Sequence, residues 1–208
     1  IGENNEKYYK ALKINNEQEI FNYAMKTNIG YVFAQGNVKA INGVSIDDID
    51  GTYFKIRKTK EKYTKHTRQV EHTRTVGNKA EEYYTTEEYW TWDYVGEEEF
   101  NTEKFNFLGE IFDYGTINFK NENFKETKKV DYYTRYKYYV IPLEFDGTLF
   151  TYINNNTINQ NEFFVGKSIE NIIKEKEKTI EILNVIFWII WSMLIGAVDF
   201  VYVCLENN

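Results

Sequence analysis

Lys55–Lys79 reads KIRKTKEKYTKHTRQVEHTRTVGNK, and the segment after it, Glu81–Lys104, reads EEYYTTEEYWTWDYVGEEEFNTEK. The first carries nine Lys or Arg and two Glu. The second carries nine Asp or Glu and one Lys. Gly77-Asn78 lies between them, and Gly suits the first central position of a tight hairpin turn. With those two residues as the turn, opposite positions sum to 155. Arg74 then faces Glu81, Arg68 faces Glu87 and Lys62 faces Asp93, while His72 faces Tyr83 and His66 faces Tyr89. Side chains alternate along a strand, so all five pairs share one face. Tyr63 falls opposite Trp92 on the other face. Opposite-charge and aromatic cross-strand pairs contribute about 0.2–1 kcal/mol each. A slip of one residue scrambles the whole set. A long charge-paired hairpin is the reading that fits.

Outward from the hairpin, the chain continues in β style. Tyr31–Ala34, Tyr53–Val76, Tyr83–Tyr94, Phe105–Phe119, Val130–Phe145 and Thr148–Ile153 are rich in aromatic and β-branched residues. Asp146-Gly147 predicts a two-residue turn between two of these runs. Asn154–Gln160 (NNNTINQ) reads as a polar loop. Asn15–Thr27 suits a short helix with Ile20, Phe21, Tyr23, Ala24 and Met25 clustered on one side. The expected fold class is mainly β (α+β), with that short N-terminal helix and a C-terminal transmembrane helix.

The C-terminal helix is read from Leu183–Leu205, LNVIFWIIWSMLIGAVDFVYVCL. Asp199 is its one ionisable carboxylate. At about 1.5 Å per residue the stretch matches a hydrocarbon core of roughly 30 Å. Val185–Val198 has no charge, and Trp188, Trp191 and Tyr202 suit interfaces. Ser168 is placed to cap a helix that runs through IENIIKEKEKTIEIL directly into this span. The expected division is a β-rich membrane-adjacent domain over 1–165, a juxtamembrane helix over 166–182 and the span over 183–205.

Composition narrows the function classes. The net charge is −7, from 32 acidic and 25 basic residues, which argues against a general nucleic-acid binder. Aromatics make up 18 % of the chain and favour half-buried sheet surfaces. Cys204 is the single cysteine and lies in the span, so no domain disulfide or thiol chemistry is expected. Two histidines without domain cysteines do not make the common zinc patterns, and no metal or cofactor is expected. Residue 1 is Ile, which suggests a fragment or processed chain.

Candidate sites are few. His66-Thr67-Arg68 repeats as His72-Thr73-Arg74 at a period of six, so both copies point the same way. His66, Arg68, His72 and Arg74 form a candidate site for an anion or lipid head group. The plainer reading is a ribbon in which Glu87 and Glu81 already neutralise the arginines. The two histidines stand about 20 Å apart on an extended strand and cannot share a metal ion. Glu97-Glu98-Glu99 and Asp47-Asp48 with Asp50 lack the spacing of a calcium loop. No Gly-rich phosphate loop, nucleophile elbow or supported carboxylate dyad marks a catalytic residue. Asp199, with Asn184, is a candidate for polar contact with another helix, because a charge deep in lipid is costly. The plainer alternative places Asp199 at the far interface.

Tyr31–His66 reads YVFAQGNVKAINGVSIDDIDGTYFKIRKTKEKYTKH. It resembles the GIDE-type domain, also called the BAM (beside-a-membrane) domain, in which "GxVxA", a Ser-centred loop and a Gly-aromatic strand with a following Glu occur in order. Gly36, Val38, Ala40, Ser45, Gly51, Tyr53 and Glu61 occupy those positions. The resemblance covers about a third of the chain, and a fainter likeness exists to LUMA-type membrane proteins. It implies a β-rich domain against a bacterial-type cell membrane, an upstream anchor and an extracytoplasmic domain. Ligase activity does not carry over, because this chain has no RING-type Cys/His set. Lys174, Lys176 and Lys178 before the span point the other way, to the cytoplasm. The function expected is non-catalytic: protein interaction, sensing or assembly at the bilayer, with a membrane protein or a second copy as partner. An envelope hydrolase using Asp or Glu is the alternative, and converging carboxylates in a pocket are its mark.

Overall fold

The computed structural model describes residues 3–77 and 79–206, with side chains over 6–77 and 79–197. In chain order the elements are α1 (Glu3–Lys10), β1 (Leu12–Asn15), α2 (Gln18–Thr27), β2 (Gly30–Ala40), β3 (Val44–Ile46), β4 (Ile49–Tyr53), β5 (Lys55–Val76), β6 (Lys79–Asn101), β7 (Lys104–Phe107), β8 (Glu110–Asp113), β9 (Asn123–Lys129), β10 (Thr134–Ile141), β11 (Glu144–Asn154), β12 (Thr157–Val165) and α3 (Ile169–Glu206). The fold is mainly β, as expected. Two compact units share the region read as one domain over 1–165. The first is Ile1–Asn37 with Asp146–Asn208, and the second is Val38–Phe145.

In the first unit β1 lies parallel to β2, from Leu12 beside Val32 to Asn15 beside Gln35. β11 and β12 form an antiparallel hairpin. The core joins Tyr8, Ala11, Phe33, Phe150, Ile169 and Ile172. Phe150 is its centre, with ring centroids 4.5 Å from Tyr8 and 4.7 Å from Phe33. A fully buried side chain of this size contributes about 1.5–3 kcal/mol. On α2 the buried residues are Phe21, Ala24 and Met25, while Ile20 and Tyr23 of the expected cluster are exposed. At about 100° per residue the buried face centres on Phe21, Ala24 and Met25, which leaves Ile20 at its edge and Tyr23 on the far side. Asn28, with φ of 51°, ends the helix in the left-handed conformation.

Two segments expected as a turn and a loop are strand and hairpin instead. Asp146-Gly147 is no turn, because β11 runs straight through it and Gly147 pairs with Val165. A Cβ on Gly147 would lie 2.6 Å from the Phe164 carbonyl oxygen and 2.5 Å from the Phe163 ring, so this glycine serves close strand approach. The chain instead breaks strand at Pro142-Leu143, where proline offers no N–H. Asn154–Gln160 is no open loop. Asn154 pairs with Thr157 across Asn155-Asn156, whose φ values of 51° and 57° make a tight mirror-type turn.

The second unit is built on the sheet β6-β5-β10-β9. β10 covers β5 from Lys55 to Lys62. Ile49, Ile56, Tyr138 and Val140 form one core cluster. Phe54 is fully buried, its ring 5.3–5.7 Å from those of Phe105, Phe119 and Phe145. The run 105–119 read as one strand is the hairpin β7–β8 followed by turns, with Leu108 and Gly109 at φ of 49° and 81°. The run 130–145 likewise begins with the β9–β10 turn, where Asp131 accepts the Tyr133 N–H at 2.7 Å.

α3 begins as expected, with Ser168 Oγ accepting the Asn171 N–H at 3.3 Å. Ile169 and Ile172 sit in the first unit's core. Further along, Ile182 to Ile195 present large apolar side chains outward, Trp188 at 70 % exposure. Among the described residues one helix is therefore long and apolar enough to cross a membrane, with a mean hydropathy of 2.0 and none of its apolar window buried.

Candidate interaction surface

β5 and β6 pair in the expected register, with opposite residues summing to 155 from Glu61–Tyr94 to Val76–Lys79. Gly77 adopts φ of 65°, and Asn78, the other expected turn residue, lies outside the described residues. A bulge between Lys60 and Glu61 shifts the register by one below that point. Only the basal part of β5 is covered by β10, so the distal hairpin is a ribbon of two strands.

One face of the ribbon carries all four His-Thr-Arg candidates. Arg68 Nε and Nη2 both donate to Glu87 Oε2, at 3.2 and 3.0 Å. Arg74 repeats the arrangement on Glu81 at 3.3 and 3.1 Å. His66 stacks on Tyr89 with centroids 5.4 Å apart, and His72 on Tyr83 at 5.2 Å. Each guanidinium also lies over the tyrosine of its own unit, at 5.7 and 5.8 Å. His72 Nε2 meets Thr85 Oγ1 at 2.8 Å. Lys62 faces Asp93 in register, but Asp93 Oδ2 turns diagonally to His66 Nε2 at 2.6 Å. Both arginines are thus occupied by their own glutamates, and the face offers an anion no unpaired guanidinium.

The match to His-Thr-Arg on β6 escaped sequence reading. EEYYTT (81–86) and EEYWTW (87–92) also repeat with period six. The ribbon is therefore two copies of one cross-strand unit of Arg, Glu, His and Tyr.

The opposite face is aromatic. Tyr63 packs between Trp90 and Trp92, with centroids at 5.3 and 5.1 Å. Arg135 lies over Trp92 at 4.1 Å. Tyr133 approaches Trp90 at 6.1 Å, and Tyr132 meets Tyr133 edge-on. Trp90, Tyr132 and Tyr133 remain 46, 75 and 52 % exposed. Sequence reading found only the Tyr63–Trp92 pair, because Tyr132 and Tyr133 arrive from the distant β9–β10 turn.

Ion pairs fix the base of the ribbon. Glu61 receives Arg135 at 2.6 Å and Lys137 at 3.0 Å. Burial opposes its ionisation, but the hydrogen bonds from Lys137 and Arg135 outweigh it and hold the carboxyl below its ordinary value. Glu122 bridges Lys55 at 2.9 Å and Arg57 at 2.7 Å, with the same balance and direction. Burial and a hydrogen bond to Asp48 push the Tyr138 phenol up. The acidic clusters also find cations: Glu97 meets Arg57, Glu99 meets Lys55 and Asp48 meets Lys58. A depression of about 280 Å³ beside them mixes Lys58 and Lys60 with Glu97 and Glu98. These carboxylates face cations rather than one another.

No family model, curated protein or solved structure matches the chain.

Among the described residues, no group of three or more His, Cys, Asp or Glu is placed to hold a metal ion. Asn184 lies on the exposed stretch of α3, and the Asp199 side chain lies outside the described residues. Ser192 spends its hydroxyl on the Ile189 carbonyl of its own helix.

Proposed function

We propose that this chain is a membrane-anchored, non-catalytic β domain that engages a protein partner at the bilayer surface, in assembly or sensing. The carrying observation is the solvent-facing apolar length of α3, which water does not tolerate on a free helix. The exposed Trp90, Tyr132 and Tyr133 supply the kind of side chain that anchors protein interfaces. The resemblance of residues 31–66 to the beside-a-membrane domain supports the same reading, with an extracytoplasmic domain on a bacterial-type cell membrane. The lipid bilayer is one partner, and a membrane protein or second copy is the other.

The test is flotation of the full chain with liposomes on a density gradient. The expected result is co-flotation that resists alkaline carbonate and yields to detergent. A full chain that stays soluble without detergent overturns the reading. Sidedness follows from Asn159→Cys in a Cys204→Ser background, probed in cells with an impermeant thiol reagent. Asn159 is exposed, whereas Asn155 and Asn156 hold the turn conformation. Labelling in intact cells is the outcome expected for an extracytoplasmic domain.

A further inference from the structure

The outer edge of β5 is paired at its base and open beyond it. β10 lies along Lys55–Lys62, and the Tyr63 N–H donates to the Tyr133 carbonyl at 2.8 Å. From Thr64 to Val76, no strand among the described residues pairs with that edge. Antiparallel pairing turns alternate residues to one edge. The N–H and C=O groups of Lys65, Thr67, Gln69, Glu71, Thr73 and Thr75 therefore face outward, as those of Tyr63 do. Such a row templates pairing with another strand, and natural edges are blunted by shortness, proline, bulges or charge. β6, the other edge of the ribbon, is guarded by eight carboxylates over 79–101. The β5 edge has no such guard. Over 68–76 it reads RQVEHTRTV, with no proline and no lysine, and its bulge lies far below, between Lys60 and Glu61. Arg68 and Arg74 are each held by a glutamate of their own ribbon.

β10 decides how a second strand can approach. A copy lying in the same direction would need the edge at Lys55–Lys62, which β10 fills. A copy lying in the opposite direction brings only the distal halves together and leaves each β10 at a far end. Two identical strands then pair antiparallel about a two-fold axis. We propose that the open edge of β5 docks on the same edge of a second copy of this chain, over residues 68–76 of each. This rests on reading the domain as an interaction module, and it names the partner.

Face, space and charge fix the register together. An odd sum of level residue numbers puts every side chain on the wrong face. A sum of 140 sets Gly77 of one copy level with Tyr63 of the other, where Tyr133 already sits. A sum of 142 opposes Arg68 to Arg74 and Glu71 to Glu71. A sum of 144 gives the longest overlap that avoids both faults. It sets Arg68 against Val76, Gln69 against Thr75, Val70 against Arg74, Glu71 against Thr73, and His72 against itself on the axis. The tip at Gly77 then stops about 17 Å past the axis, whereas Tyr133, level with Tyr63, lies about 30 Å along. Gln69–Thr75 and Glu71–Thr73 become hydrogen-bonded pairs, each occurring twice across the axis and exchanging two bonds. An isologous contact of this kind uses each open edge once and closes at two copies.

The test uses the full chain in detergent micelles, where two copies are free to take either mutual direction, with Cys204→Ser as background. Single cysteines replace Arg68, Val70, His72, Arg74 or Val76, one per chain, so every disulfide joins two copies. Level positions on the axis stand close enough for a disulfide. Under mild oxidation the 72–72 crosslink is expected to exceed 68–68 and 76–76 about tenfold. Thr73→Pro removes an outward N–H and leaves the β5–β6 bonds in place, and it is expected to cut the 72–72 yield about tenfold. Val76 is 50 % exposed, so its substitution spares the fold. Val76→Arg, which meets Arg68 of the second copy, is expected to raise the dimer dissociation constant about fivefold, and Val76→Glu to lower it. Equal yields at all five positions, a maximum away from residue 72, a dissociation constant indifferent to both Val76 variants, or single copies throughout each overturn the proposal. Flotation of the full chain with liposomes is read separately, so a lost anchor and a lost edge contact are distinguishable outcomes.

Discussion

Arg68 and Glu87 show how little one exposed pair needs to contribute to fix a register. Their side chains are 65 and 48 % exposed, so solvent screens the attraction. Arg68→Glu is expected to lower the ribbon's stability, and adding Glu87→Arg to restore part of the loss. A double-mutant cycle by thermal denaturation should give a coupling of about 0.5 kcal/mol. Zero coupling both here and at Arg74 with Glu81 would assign register to the aromatic pairs instead. Glu61 is a different case, because its carboxylate is mostly buried and held by two cations. Its folded-state pKa lies below the ordinary value of 4.5, as does that of Glu122. The unfolded chain therefore binds more protons near that pH. The stability these two groups contribute is present above pH 4.5 and is lost as the pH falls through their lower folded values. Melting temperature should drop on acidification below about pH 5, and Glu61→Gln should flatten that drop. At neutral pH, Glu61→Gln should cost about 2 kcal/mol, since it leaves two cations with weaker partners.

At the scale of elements, the hairpin was legible from sequence and the rest of the sheets less so. β5 and β6 are adjacent in the chain and opposite in charge, so one turn position determined 16 cross-strand pairs, from Glu61–Tyr94 to Val76–Lys79. The face that holds His66, Arg68, His72 and Arg74 followed directly. The aromatic face did not, because Tyr133 approaches Trp90 only through tertiary pairing of β10 with β5. β1 was equally hidden, since its parallel partner β2 lies beyond an intervening helix. Asp146-Gly147 misled because a local turn signal yields to a packing demand. Gly147→Ala tests that account: with the Phe164 carbonyl 2.6 Å from the new carbon, thermal denaturation should show a loss of about 1–3 kcal/mol. An unchanged melting temperature would return Gly147 to an incidental role. The start of α3 yields another expectation. Cutting after Gly166 removes Ile169 and Ile172 from the core, a loss of about 3 kcal/mol or more. Cutting after Lys178 keeps them. Circular dichroism melts of the two soluble products should rank the longer one clearly higher, and equal melts would separate the helix from the core.

At the scale of the whole molecule, the apolar helix and the β-rich region were both visible in composition, while the division into two compact units was not. β2 and β11 each cross from one unit to the other, so the boundary falls inside strands rather than in a linker. The glycines beside the two crossings, Gly36 and Gly147, lie within strands, so they do not mark a linker as boundary glycines do. The ribbon belongs wholly to the second unit and α3 to the first. Its two repeated units carry an implication for how this protein changes over generations. Six is even, so a unit removed from both strands leaves every remaining side chain on its original face. Deleting residues 66–71 together with 84–89 would bring His72 and Tyr83 next to Lys65 and Trp90 without altering the register of any remaining cross-strand pair. The arm would shorten by about 20 Å. Duplication would lengthen it by the same step. Arm length can therefore drift between lineages in whole units while the rest of the domain stays constant, and a deletion in one strand alone is the change that selection should remove.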